Sequence, residues 1–130
     1  MKKGLFILWA MFFVCPVLLL AQEIPMGVVS ALKGGRVEQL ATYMGPLVEL
    51  SMESRKVATD REVALEKLTD FFSKNKAREY SVNHQGKRDE SGFIIGTLTT
   101  ITGQFRVNCF FKTSDNQYII HQIRIDKSND

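Results

Sequence analysis

Cys109, His121, His84 and Tyr80 are the side chains through which this 130-residue chain could do chemistry. A cysteine becomes a nucleophile when a histidine within hydrogen-bond reach takes its proton and a third group holds that histidine in place. Cys109 and His121 fall on facing positions of neighbouring strands, but no acidic residue lies on their face to serve as the third group. Proton-transfer catalysis in an apolar pocket needs an inward carboxylate or tyrosine. Tyr80 alternates inward with Val82 and His84, whereas Glu49 and Glu79 alternate outward. A metal site needs three or four converging ligands, and the strand order keeps His84 and His121 about three strand spacings apart, roughly 14 Å. The glycines at 34, 35, 45, 86, 92, 96 and 103 fall at helix ends, at turns or inside a strand, not in a phosphate-cradling loop. The expectation is therefore no catalytic residue, no metal and no cofactor, with each histidine lining a core or a pocket.

The elements that would position these residues follow from hydrophobic periodicity. Ile24, Val28, Val29 and Leu32 place a short amphipathic helix in Glu23–Gly34, stopped by Gly34 and Gly35. Val37, Leu40, Ala41 and Met44 predict a second over Val37–Met44, closed by Gly45 and Pro46. Leu47–Met52 alternates as a half-buried strand. Thr59 with Glu62 forms a capping box that opens the longest helix, whose stripe of Val63, Ala64, Leu65, Leu68, Phe71 and Phe72 runs to about Asn75. Ala77–Gln85 reads as a strand, and Gly92–Asp126 as three more, joined by turns at Thr102–Gly103 and Ser114–Asn116.

Those two turns set a register, and the register assigns the faces. One face collects Ile94, Gly96, Leu98 and Thr100, then Phe105, Val107, Cys109 and Phe111, then Ile119, His121, Ile123 and Ile125, and the helices must cover it. Within it Gly96, Cys109 and His121 form one row where small or polar residues replace large apolar ones. That row, with Tyr80 and His84, is the candidate ligand pocket. The opposite face carries Thr97, Thr99, Arg106, Asn108, Gln122 and Arg124 together with an apolar band of Phe93, Ile95, Phe110, Tyr118 and Ile120. Phe110, Tyr118, Ile120 and Arg124 are the candidate interface residues, and a homodimer through this outer face is the expected assembly.

The start of the chain bears on destination. Lys2 and Lys3, the apolar run from Leu5 to Leu20 and the small residue Ala21 have the layout of a secretory signal peptide. The run is shorter than the ~20 residues of a membrane span, so contact with the membrane is expected only through that signal. Val14 and Pro16 around Cys15 do not make a lipobox. The expected division is residues 1–21 as signal and 22–130 as one domain, delivered to the periplasm or the exterior. The formal charge of +3 then falls to +1, with 15 basic and 14 acidic side chains left, and no nucleic-acid footprint is expected. Only Cys109 remains in the exported part, so no internal disulfide is available.

Two short helices, a strand, a long helix and four strands in that order resemble the nuclear transport factor 2-like (cystatin-like) α+β roll, in which a bent sheet wraps helices and leaves a conical cavity. The stretches IPMGVVSALKGGRVEQLATYM, LEKLTDFFSKN, the HQG at 84–86, IGTLTTITGQFRVNCFFK and IIHQIRID are similar to a bacterial exported family of unknown function, over essentially the whole exported chain. That resemblance implies the fold and brings no catalytic residues with it. Isomerases and dehydratases of the wider fold place acid and base groups in the cone, and no inward aspartate matches them here. The reading is a non-enzymatic exported module binding a small apolar ligand or another protein. The alternative is a small-molecule isomerase, dehydratase or hydrolase using the cavity.

Overall fold

The structure is a computed structural model that describes residues 23–128, so the predicted signal peptide lies outside the described residues. Its elements run α1 (Gly27–Gly34), α2 (Val37–Ala41), β1 (Met44–Met52), β2 (Arg55–Ala58), α3 (Arg61–Lys74), β3 (Ala77–Arg88), β4 (Ser91–Thr100), β5 (Gly103–Ser114) and β6 (Gln117–Lys127). The strands form one curved six-stranded sheet in the order β2-β1-β6-β5-β4-β3, antiparallel except for the parallel β1–β6 pair. The helices lie on one side of it, α3 against β1 and β2 and α1 against β3. This is the predicted α+β roll with one strand more than the periodicity implied. Strand β2 follows a turn at Glu53 and Ser54, both at positive φ, a conformation that neither residue type advertises in sequence.

The helices are held mostly by apolar residues that their spacing singled out, but both short helices are shorter than predicted: Ile24 lies before α1 and Met44 begins β1, each still buried, and Ala31 joins the buried face unpredicted. α1 buries Val28, Ala31 and Leu32, and ends where Gly35 takes the left-handed conformation, φ 64°, and caps the carbonyls of Ala31 and Leu32. α2 buries Leu40 and Ala41. α3 buries Ala64, Leu68 and Phe71, and its cap is Asp60, one residue later than predicted, whose carboxylate accepts from the Val63 N–H at 2.9 Å. A cap of this kind contributes about 1 kcal/mol. Among the described residues no helix is long and apolar enough to cross a membrane.

The two hairpins of the long meander depart from the predicted register in different ways. In the first, Thr100 pairs with Gly103 and the turn is Ile101–Thr102, because the Thr100 hydroxyl donates to the Gly103 carbonyl at 2.8 Å and accepts from the Thr102 N–H at 3.1 Å. The slip of two residues keeps every side chain on its predicted face but changes its partner, so Gly96 faces Val107 and Cys109 faces Ile94.

In the second hairpin Asp115 and Asn116, both at positive φ, make a two-residue turn closed by Ser114 and Gln117. That is one residue shorter than predicted, and it reverses the faces of the segment that follows. Tyr118 and Ile120 are buried, and Ile119 turns outward. The ladder then skips His121, since Phe111 pairs with Ile120 while Phe110 pairs with Gln122. This bulge restores the predicted facing for Ile123 and Ile125, both buried. Burial energetics favour the arrangement: it places Tyr118 and Ile120 inside in exchange for Ile119 and an imidazole that would need a partner there.

Candidate functional site

The predicted inner pocket is filled from within the chain. Tyr80 of β3 crosses the inner side of β4 at Gly96, and its hydroxyl donates to the Val107 carbonyl of β5 at 2.8 Å. A Cβ at position 96 would lie 2.5 Å from the Tyr80 ring and 2.5 Å from the Ser81 carbonyl oxygen. Glycine is therefore the residue that lets the ring lie flat across the strand. Burial, together with neighbouring Cys109, raises the Tyr80 hydroxyl far above its ordinary range, so it stays a proton donor and cannot act as a base near neutral pH. Cys109 is 0% exposed, and burial pushes its thiol up to about 12. A buried thiol that holds its proton is not the activated nucleophile that cysteine catalysis requires.

Of the five pocket candidates the structure brings together Tyr80, Gly96 and Cys109, and separates the two histidines from them. The β3 ladder skips Asn83, so that Val82 pairs with Gly96 and His84 with Ile95, and His84 is exposed on the outer side. His121, displaced by its bulge, is also outside, and Cys109 pairs with Ile123 instead. Among the described residues no group of three His, Cys, Asp or Glu could hold a metal ion.

The interface candidates divide as well. Phe110 and Arg124 lie on the outer side as predicted, with Phe110 half-buried and Arg124 exposed. Tyr118 and Ile120 do not: the shorter turn places both in the core, and the Tyr118 hydroxyl reaches back toward the Asp89 carbonyl. The outer side is thus a half-buried apolar band of Phe93, Ile95 and Phe110, beside the exposed Arg106 and Arg124. Asn108 sits where the two parts meet, paired with Ile95 on β4 and Arg124 on β6. Its side-chain oxygen is buried and has no hydrogen-bond partner among the described residues. Buried amide oxygens are rarely left in this state, so this one calls for an explanation.

A second outer feature arises where β1 and β6 both lose regularity. Met44 pairs with Ile120 and Glu49 with Gln122, so Gly45, Pro46, Leu47 and Val48 stand against His121 alone. The strand bows out, leaving Leu47 74% exposed, and opens a groove of about 400 Å³ lined by Gly45, Pro46, Leu47, Glu49, Thr59, Lys112, Ile119 and His121. Burial, then the nearby Lys112, hold the His121 imidazole below its ordinary pKa, with Glu49 opposing them. Glu49 is itself engaged by Lys56 at 3.7 Å and by the Gln122 amide at 3.4 Å. Periodicity did not reveal Lys112 and Leu47 as lining residues. The one available signal was Gly45-Pro46 at the start of a strand, a pair that interrupts a ladder.

The domain-of-unknown-function profile DUF4783 matches residues 26–126. The chain is similar to a solved DUF4783 protein from Bacteroides ovatus, with 54% identity over 85% of this chain and 100% of the other and a TM-score of 0.81. It is similar also to one from Bacteroides fragilis, at 52% identity over 82% and 100%, with a TM-score of 0.78. At the level of fold alone it resembles a cystatin-like domain of unknown function from Nostoc punctiforme, 11% identical over 80% and 72%, with a TM-score of 0.63. No functionally curated protein matches it. With its nuclear transport factor 2-like (cystatin-like) roll, this chain belongs to the DUF4783 family, as the match over residues 26–126 and the relatives of 54% and 52% identity show.

Proposed function

We propose that the chain is an exported, non-enzymatic interaction module that pairs with a second copy of itself through the outer side of the sheet. The observation that carries this reading is the half-buried apolar band of Phe93, Ile95 and Phe110 beside the exposed Arg106 and Arg124, on the side of the sheet that the helices do not cover. Asn108 is half-buried at the junction of the band and the arginines, so a two-fold axis near it would set the two copies' residues 108 side by side. Phe93, Ile95 and Phe110 would supply the apolar centre of the contact, and Arg106 and Arg124 its rim. The interior supports the same reading, since the Tyr80 ring fills the space over Gly96 and Cys109 keeps its proton. Export rests on Lys2, Lys3 and the apolar run from Leu5 to Leu20.

Sedimentation equilibrium tests the pairing. At about 100 μM the wild-type protein is expected to be a dimer, as for a contact of ~8 kcal/mol with a Kd near 1 μM. Asn108→Asp, which sets two carboxylates against each other across the axis, is expected to return it to a monomer while keeping the wild-type circular dichroism. A wild-type monomer at that concentration overturns the reading, and so does a dimer indifferent to Asn108→Asp.

A further inference from the structure

We propose that the groove between β1 and β6 binds a small monocarboxylate with an apolar tail, the carboxylate held by the Lys112 ammonium and the His121 imidazole and the tail lying on Ile119, Pro46 and Leu47. This site lies beyond the self-association face and does not depend on it.

Charge comes first. Of the ionisable groups that face His121, Glu49 from β1 is already offset by Lys56 from β2 at 3.7 Å, whereas Lys112 from β5 has no carboxylate partner among the described residues. Both the Lys112 ammonium and the Glu49 carboxylate line the groove, and because Glu49 is engaged by Lys56, Lys112 is the charge left to meet a monoanion. Shape is the second argument. A volume of about 400 Å³ falls in the range of small-molecule sites. Its walls are apolar where Ile119 packs against Gly45 and where Pro46 and Leu47 bow outward, and Lys112, the cross-strand partner of Ile119, stands beside that wall. A short molecule with one anionic end and one hydrocarbon end fits a cation set beside an apolar wall.

The backbone supplies the third argument. Four residues of β1 stand against the single bulged residue of β6, so regular pairing is given up on both strands at one place. Bulges re-aim side chains, and this one aims His121 into the groove instead of the core. Neutral imidazole there donates an N–H to a carboxylate, and a bound carboxylate favours the imidazolium, so occupancy raises the His121 titration midpoint.

Butyrate is the probe, with 1-butanol and butylamine of the same chain length as controls, followed by NMR of the two histidine rings. Butyrate is expected to shift the His121 ring saturably and raise its midpoint, and to leave the His84 ring, an internal control, unmoved. Neither control compound should do so. Lys112→Gln, at an exposed position that leaves the fold intact, is expected to weaken butyrate binding about tenfold, the loss of one charge-assisted contact. An unmoved His121 ring, shifts that never saturate, equal shifts from all three compounds, or unchanged butyrate affinity in Lys112→Gln each overturn the proposal.

Discussion

At Gly96 on the inner side and at His121 on the outer side a strand gives up a regular side chain or a regular pairing, and the two places are resolved differently. Around Gly96 the missing side chain is replaced by one from the neighbouring strand: Tyr80 lies over the glycine, and its hydroxyl reaches the carbonyl two strands away. Around His121 nothing in the described chain closes over the irregularity, and a groove with an exposed leucine remains. The difference teaches that a small residue in a strand does not by itself mark a pocket. What matters is whether a long side chain on the adjacent strand points at the gap, and Tyr80 does.

This contrast can be broken most strongly from the inside. Tyr80→Ala removes the plug and its packing, with an expected loss of about 4 kcal/mol in urea unfolding, the scale of truncating a buried aromatic. Gly96→Ala keeps the tyrosine but drives a methyl into its ring and into the Ser81 carbonyl, for about 3 kcal/mol. In the Tyr80→Ala background the same Gly96→Ala change should cost less, because only the Ser81 contact survives. Additive costs would show that the ring and the glycine are not coupled. Tyr80→Phe sharpens the point by deleting only the hydrogen bond to Val107, at about 1 kcal/mol.

The outer side is expected to give the smallest effect. Because the folded state holds the His121 pKa below its unfolded value, the unfolded chain binds the proton more readily. Stability is then full above the unfolded value, near pH 6.5, and declines slightly as the pH falls through it. His121→Gln should flatten that portion of a pH-dependent melting curve. A slope unchanged by the substitution would assign the titration to another group.

The helices were legible in sequence because each buries residues at helical spacing, as Ala64, Leu68 and Phe71 do in α3. The inner face of β4 and β5 was legible too, since a register error of two residues leaves side-chain facing unchanged. What could not be read was the first half of β6. There, strict alternation placed Ile119 and His121 inside, and a turn shorter by one residue put Tyr118 and Ile120 inside instead. The candidate site failed at the same point: it was assembled from Cys109 and His121 across a pairing that the bulge removes. Asn83, skipped by the β3 ladder, carried His84 away from Tyr80 in the same manner.

The amino-acid order alone thus determined that a few amphipathic helices cover one side of an antiparallel meander, because periods of 3.6 and 2 in apolar residues are local properties. Only the tertiary structure decided which residues of that meander meet. Bulges and turn lengths are chosen by competition between whole rows of side chains for the core, and a one-residue difference reverses every facing until a second irregularity restores it. Tyr80 over Gly96 and His121 beside Lys112 are both outcomes of that competition.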